Sequence, residues 1–106
     1  MPEISETFTG QTVICTFDVT PGTAEDLVEA LRSAWDDVVT RHPGFLGGAI
    51  HMNDAQTRVA SYSQWKARSD YQEMLRSPEM RARSRIIHGF ARSFEPVMYE
   101  VVASYD

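Results

Sequence analysis

From Pro43 to Trp65 the chain has almost no choice but to fold back on itself. A Pro43-Gly44 turn hands over to Phe45-Leu46 and a strand over about 46–52. The polar turn Asn53-Asp54-Ala55-Gln56 follows, and a second strand over 57–64 stops where Trp65 opens a helix. Two strands joined by so short a turn pair antiparallel. Alternation places Val59, Ser61, Ser63 and Trp65 on one side of the second strand, and His51 on one parity with Gly47 and Ala49 in the first. A large aromatic and a titratable imidazole near the ends of paired strands, with small residues beside them, read as a pocket wall.

The flanking segments complete the pattern. Residues 11–19 (QTVICTFDV) alternate and are rich in β-formers, so they read as a strand. Thr20-Pro21-Gly22 breaks it, and Thr23 with Asp26 three residues on has the form of a capping box. Leu27, Val28, Leu31, Ala34, Trp35, Val38 and Val39 then follow helical spacing. A second helix is expected from about Lys66, with Tyr71, Met74 and Leu75 on one face. Ser77-Pro78-Glu79 supplies a fresh N-cap, so the helix restarts there and runs toward His88-Gly89. Val97 to Tyr105 reads as a long closing strand. The order strand, helix, strand, strand, helix, strand is the split βαβ, or ferredoxin-like, α+β arrangement with an antiparallel sheet. Its second sheet face would carry apolar and aromatic side chains, a larger patch than monomers usually expose. A homodimer with sheets packed face to face is therefore expected.

Composition narrows the function classes. At 106 residues the chain fits a single domain, with residues 1–10 read as a flexible N-terminal segment. The net charge of −5 argues against nucleic acid as partner, and no apolar run is long enough to span a membrane. The acidic start Met1-Pro2-Glu3-Ile4-Ser5-Glu6 lacks the features of a secretory signal, and the single Cys15 fits a reducing cytoplasm. Charge is uneven. Residues 1–40 hold eight acids against Arg32 alone, whereas residues 65–92 hold seven bases against Asp70, Glu73 and Glu79. This admits two readings: solvated helix faces, or arginines facing an anionic or phenolic ligand or the acidic face of a partner subunit.

The pattern Phe17-x-Val19-x-Pro21-Gly22, a helix, Pro43-Gly44-Phe45-Leu46, then Trp65 opening a helix resembles the antibiotic biosynthesis monooxygenase family over residues 11–105. That resemblance implies a dimeric α+β barrel. It also implies pocket roles for His51, Trp65, Tyr71 and Arg85, with Ser84 at that place if the alignment shifts by one residue and Arg83 a further alternative, and substrate contacts from Ser61, Cys15 and Phe45. Two positions depart from the family pattern. Cys15 and Ser61 stand where many members have asparagines, which leaves the trio of the haem-degrading branch incomplete.

Dioxygen reacts slowly with closed-shell molecules, so oxygenases usually borrow a flavin or a metal. This sequence has no GxGxxG, no phosphate loop and no metal-ligand spacing among His42, His51 and His88. Together with the resemblance, which implies a quinone-forming oxygenase of polyketides, the expectation is an enzyme with no cofactor and no metal, oxidising an aromatic polyketide of the anthrone type to a quinone. Loss of a proton beside the carbonyl makes such a substrate reactive toward dioxygen. A base or proton relay, a donor or cation for the anion and a dry aromatic pocket are then needed. His51 is the candidate relay, Arg85 the cation, Trp65 an N–H donor and Tyr71 a proton donor. Each also has a plain structural reading: Trp65 and Tyr71 as core, His51 and Arg85 as surface, Cys15 as a small buried hydrophobe, His42 as loop, His88 at a helix C-terminus. The alternatives are a non-catalytic ligand-binding dimer of the same fold, or a haem-binding protein.

Overall fold

The computed structural model describes residues 4–105. Strand β1 (Gln11–Asp18) leads into helix α1 (Ala24–Asp37) and a short 3-10 turn (Val39–Arg41). Strands β2 (Phe45–Met52) and β3 (Arg58–Trp65) form the hairpin. Helices α2 (Arg68–Arg76) and α3 (Pro78–Phe90) precede the last strand, β4 (Ser93–Tyr99). The four strands make one antiparallel sheet in the order β2-β3-β1-β4, the ferredoxin-like arrangement that the sequence predicts.

The helices cover one face of this sheet, here called inner. Leu27 and Leu31 of α1, Tyr71 and Met74 of α2, and Met80 and Ile87 of α3 are buried against Val13, Cys15 and Phe17 of β1 and Val59 and Trp65 of β3. Complete burial of a leucine such as Leu27 contributes about 1.5–3 kcal/mol. Gly48 lets α1 come close: a Cβ there would lie 2.7 Å from the Trp35 ring and overlap the Tyr62 carbonyl. At the open end of the sheet, Asp18 accepts hydrogen bonds from the Ser93 hydroxyl at 2.9 Å and from Arg58 Nε at 3.2 Å, joining β1 to β4 and β3.

Ser77 caps α3 as expected: its hydroxyl accepts from the Met80 amide at 3.2 Å, with Pro78 at the first helical position. Two local expectations need correction. Thr23 makes no capping hydrogen bond, because its ψ of −1° is already near-helical and carries the hydroxyl away from the first-turn amides. That hydroxyl donates instead toward the Phe90 carbonyl at 3.3 Å, joining the start of α1 to the end of α3. The closing strand also lies earlier than Val97–Tyr105. It begins at Ser93, contains Pro96 and ends at Tyr99, while residues 100–105 join no strand. An edge strand tolerates a proline whose missing N–H would have faced away from the sheet. Among the described residues no helix is long and apolar enough to cross a membrane.

Candidate active site

A cavity of about 110 Å³ lies between the inner face and the helices. Cys15, Ser61, Ser63 and Trp65 form its sheet wall, and Trp35, Tyr71, Met74, Met80 and Ile87 its helical wall. It opens between Leu75 and His88 on the helices and Phe94 and Pro96 on β4, all exposed. The lining is predominantly apolar, the usual character of small-molecule sites.

Trp65 anchors the inner end and is fully buried. Three rings meet it edge-on: Phe45 at 5.4 Å, Tyr71 at 5.6 Å and His42 at 5.8 Å between centroids. Phe45 thus buttresses Trp65 from behind and does not line the cavity. His42, read from sequence as loop, belongs to this cluster. The Trp65 indole N–H, expected to await a ligand, donates to the Ser63 hydroxyl at 3.0 Å. Alternation explains the pairing, since residues 63 and 65 of one strand project from the same face.

Burial governs the titratable groups here. It pushes the Cys15 thiol up to about 11, against a weaker opposing hydrogen bond with the Glu95 backbone. Burial chiefly, and Cys15 secondarily, push the Tyr71 phenol up to about 12. Both hold their protons near neutrality, so Tyr71 is a donor and Cys15 an inert small side chain. Among the described residues, no protein group accepts the hydroxyl protons of Ser61, Ser63 or Tyr71. These three side chains, with Ser84 and His88 of α3, thus stand in a predominantly apolar lining. Ser63 was passed over in the sequence although its parity with Trp65 was visible there.

The other predicted residues lie elsewhere. His51 pairs with Ala60, placing it on the outer face with Tyr62 and Gln64. It is exposed and lines a shallow groove with Asn53, Thr57 and Arg58. The wall expected to hold both His51 and Trp65 is thus split between two faces. On α3, Ser84 and His88 line the cavity, while Arg85, about 100° round the helix from Ser84, is exposed outside it. Arg83 turns toward α1, where it donates to Asp37 Oδ2 at 2.8 Å and contacts the Ser33 hydroxyl. His88, read as a helix-end cation, stacks on Phe94 at 4.2 Å at the cavity mouth.

Comparison with known proteins agrees with this fold. The family model described as antibiotic biosynthesis monooxygenase matches residues 11–85, most of the chain. The chain belongs to the antibiotic biosynthesis monooxygenase family. Tetracenomycin-F1 monooxygenase of Streptomyces glaucescens is 24% identical over 94 residues, covering 89% of this chain and 83% of that one. Among solved structures, a variant of SnoaB, a cofactor-independent oxygenase from Streptomyces nogalater, superposes with a TM-score of 0.75 at 15% identity. The alignment covers 87% of this chain and 92% of SnoaB. An anthrone oxidase-like protein gives a TM-score of 0.86 at 19% identity, covering 95% of this chain and 43% of that longer one. The span matched by the antibiotic biosynthesis monooxygenase model contains Cys15, Ser61, Ser63, Trp65 and Tyr71. It stops short of Ile87, His88, Phe94 and Pro96, so the end of α3 and strand β4 are the parts of the cavity lining that lie beyond it.

Proposed function

We propose that the chain is a cofactor-independent monooxygenase that uses dioxygen to oxidise an electron-rich aromatic polyketide of the anthrone type to a quinone. The observation that carries this reading is the apolar cavity in which the hydroxyls of Ser61, Ser63 and Tyr71 face a shared space without protein acceptors. These hydroxyls belong to the lining of a largely apolar space, and a ring bearing keto or phenolic oxygens would supply acceptors for them. The named activities of tetracenomycin-F1 monooxygenase and SnoaB point to the same chemistry.

The substrate methylene gives a proton to solvent at the cavity mouth, which the later peroxide takes back before water leaves, and the delocalised anion so formed carries its charge largely on its oxygen. That anion passes an electron to dioxygen, and the radicals combine to a peroxide at the same carbon. Loss of water leaves the quinone carbonyl, so one oxygen atom enters the product and the other leaves as water. Hydrogen bonds from the cavity hydroxyls stabilise the anion, and the closed apolar walls keep competing water away. A cavity of about 110 Å³ takes about one ring, since an engineered cavity of about 150 Å³ holds benzene. The reacting ring therefore sits against Trp65 and Tyr71, with further rings toward Leu75, His88 and Phe94. Cys15 and Ser61 border that ring. His51 and Arg85 receive no step here, because neither side chain borders the cavity of its own chain.

The outer face explains the partner. Ile14, Tyr62, Val97 and Tyr99 line it by register, and we assign its covering to a second copy of the chain. Light scattering should give about twice the 12.0 kDa chain mass.

One observation favours a second reading, a ligand-binding dimer without chemistry: the titratable groups at the inner end, Cys15 and Tyr71, both hold their protons near pH 7. Oxygen uptake with dithranol in metal-stripped protein decides between them. Consumption above the protein-free rate with formation of the quinone supports the oxygenase. Binding without added uptake supports the binding protein.

A further inference from the structure

The Trp65–Ser63 pair has a direction. The indole can only donate, so the 3.0 Å contact fixes the Ser63 oxygen as acceptor and leaves its hydroxyl proton for another partner. No described residue takes that proton, and the oxygen borders the cavity. Accepting one hydrogen bond polarises a hydroxyl and strengthens the one it donates. In a cavity this apolar the gain falls on whatever acceptor stands next to it.

We infer that Ser63 donates the hydrogen bond that meets the reacting ring's oxygen, and that Trp65 acts behind it as a positioning residue. The inference rests on the function proposed above and deepens it by naming the donor. The indole is locked by the rings of Phe45, Tyr71 and His42, so its N–H holds the Ser63 oxygen at one point on the cavity wall. Ser61 stands two residues along the same strand face, roughly 7 Å away, and Tyr71 lies on the helix opposite. The arrangement selects a flat ring with an oxygen directed at the strand: a phenol, or the keto oxygen of an anthrone, which becomes the oxyanion on deprotonation. The donor is then better matched to the transition state than to the neutral substrate, which is the condition for raising kcat as well as lowering KM.

The test uses two probes on the whole protein. The visible band of 1,8-dihydroxyanthraquinone reports hydrogen bonding to its oxygens, and oxygen uptake with dithranol reports turnover. Wild type should shift the dye's band on binding. Ser63→Ala should lose that shift and lower kcat/KM for dithranol by about 10-fold or more, mostly in kcat. Ser63→Thr, which keeps the hydroxyl, should restore most of both. Trp65→Phe should give a smaller loss with a partial shift, and the double variant should be no worse than Ser63→Ala. If Ser63→Ala fails to fold with its indole N–H unpaired, Trp65→Phe and Ser63→Thr decide. A Trp65→Phe variant that keeps the wild-type band and rate overturns the inference. So does a wild type that leaves the band unmoved, or dithranol turnover indifferent to Ser63→Ala; in the last case the oxygenase reading survives. A Ser63-dependent band with no turnover in any variant upholds the donor and overturns the oxygenase.

Discussion

The two faces of the sheet share strands and differ in almost everything else. On the inner face, Cys15, Ser63 and Trp65 lie beneath three helices, and each polar side chain either pairs inside the wall or points into the cavity. On the outer face, His51 and Tyr99 are exposed, and Gln64 donates to the Tyr62 hydroxyl at 3.0 Å along the strand. The contrast teaches that residue type alone does not mark a site here. An imidazole in the open is a weaker candidate than a serine hydroxyl in an apolar cavity, because low-dielectric surroundings make each hydrogen bond count for more.

The largest expected difference between the faces is in stability. Trp65→Ala should cost about 3–5 kcal/mol by urea denaturation, whereas His51→Ala should stay within about 0.5 kcal/mol of wild type. Similar losses for the two would erase the distinction.

Alkaline pH should also act through the inner face. Folding raises the Cys15 pKa from 9.0 to about 11 and the Tyr71 pKa from 10.0 to about 12. The unfolded chain then releases these protons first, so it binds fewer of them and stability falls as pH rises. For Cys15 the loss runs from pH 9 to about 11, and for Tyr71 from pH 10 to about 12. Each loss is roughly 2–3 kcal/mol at most, from two pKa units. Cys15→Ala should flatten the lower part of the curve; a slope unchanged by that substitution would place the cause elsewhere.

Packing against α1 offers a finer test. Gly48→Ala puts a methyl into the Trp35 ring and the Tyr62 carbonyl, which should cost about 1–3 kcal/mol. An unchanged melting temperature would mean that α1 is not held close to the sheet there. The smallest effect belongs to the exposed ion pair. Asp18 lies below the usual carboxylate range through the Ser93 hydroxyl first and Arg58 after it. Asp18→Asn should leave the melting temperature close to wild type, as exposed pairs contribute little. A larger loss would show that the strand ends are pinned far more firmly.

Much of the fold was legible in the sequence, for identifiable reasons. Pro43-Gly44 and the polar turn set the hairpin, and Ser77-Pro78 set the break between α2 and α3. The side of β3 that carries Trp65 followed from alternation. His51 was misplaced relative to Trp65 by one irregularity. Phe45 pairs with Trp65, yet Gly47 pairs with Gln64, so the register shifts at Leu46. The extra residue reverses parity within β2, sending Gly47, Ala49 and His51 outward while Phe45 stays inward. No residue count reveals such a bulge. On α3 the spacing Met80, Ser84, Ile87, His88 forms the cavity face, so the one-residue shift that puts Ser84 in place of Arg85 is the alignment that fits the lining. The pairing of Ser63 with Trp65 needed side-chain directions that alternation only permits.

The central claim is that substrate chemistry occurs on the inner face. Its most direct test is the rate of oxygen uptake with dithranol in Tyr71→Phe and His51→Ala, measured side by side. Tyr71→Phe removes only a cavity hydroxyl and should lower kcat/KM by about 10-fold, with His51→Ala close to wild type. A normal rate in Tyr71→Phe together with a collapse in His51→Ala would contradict the account.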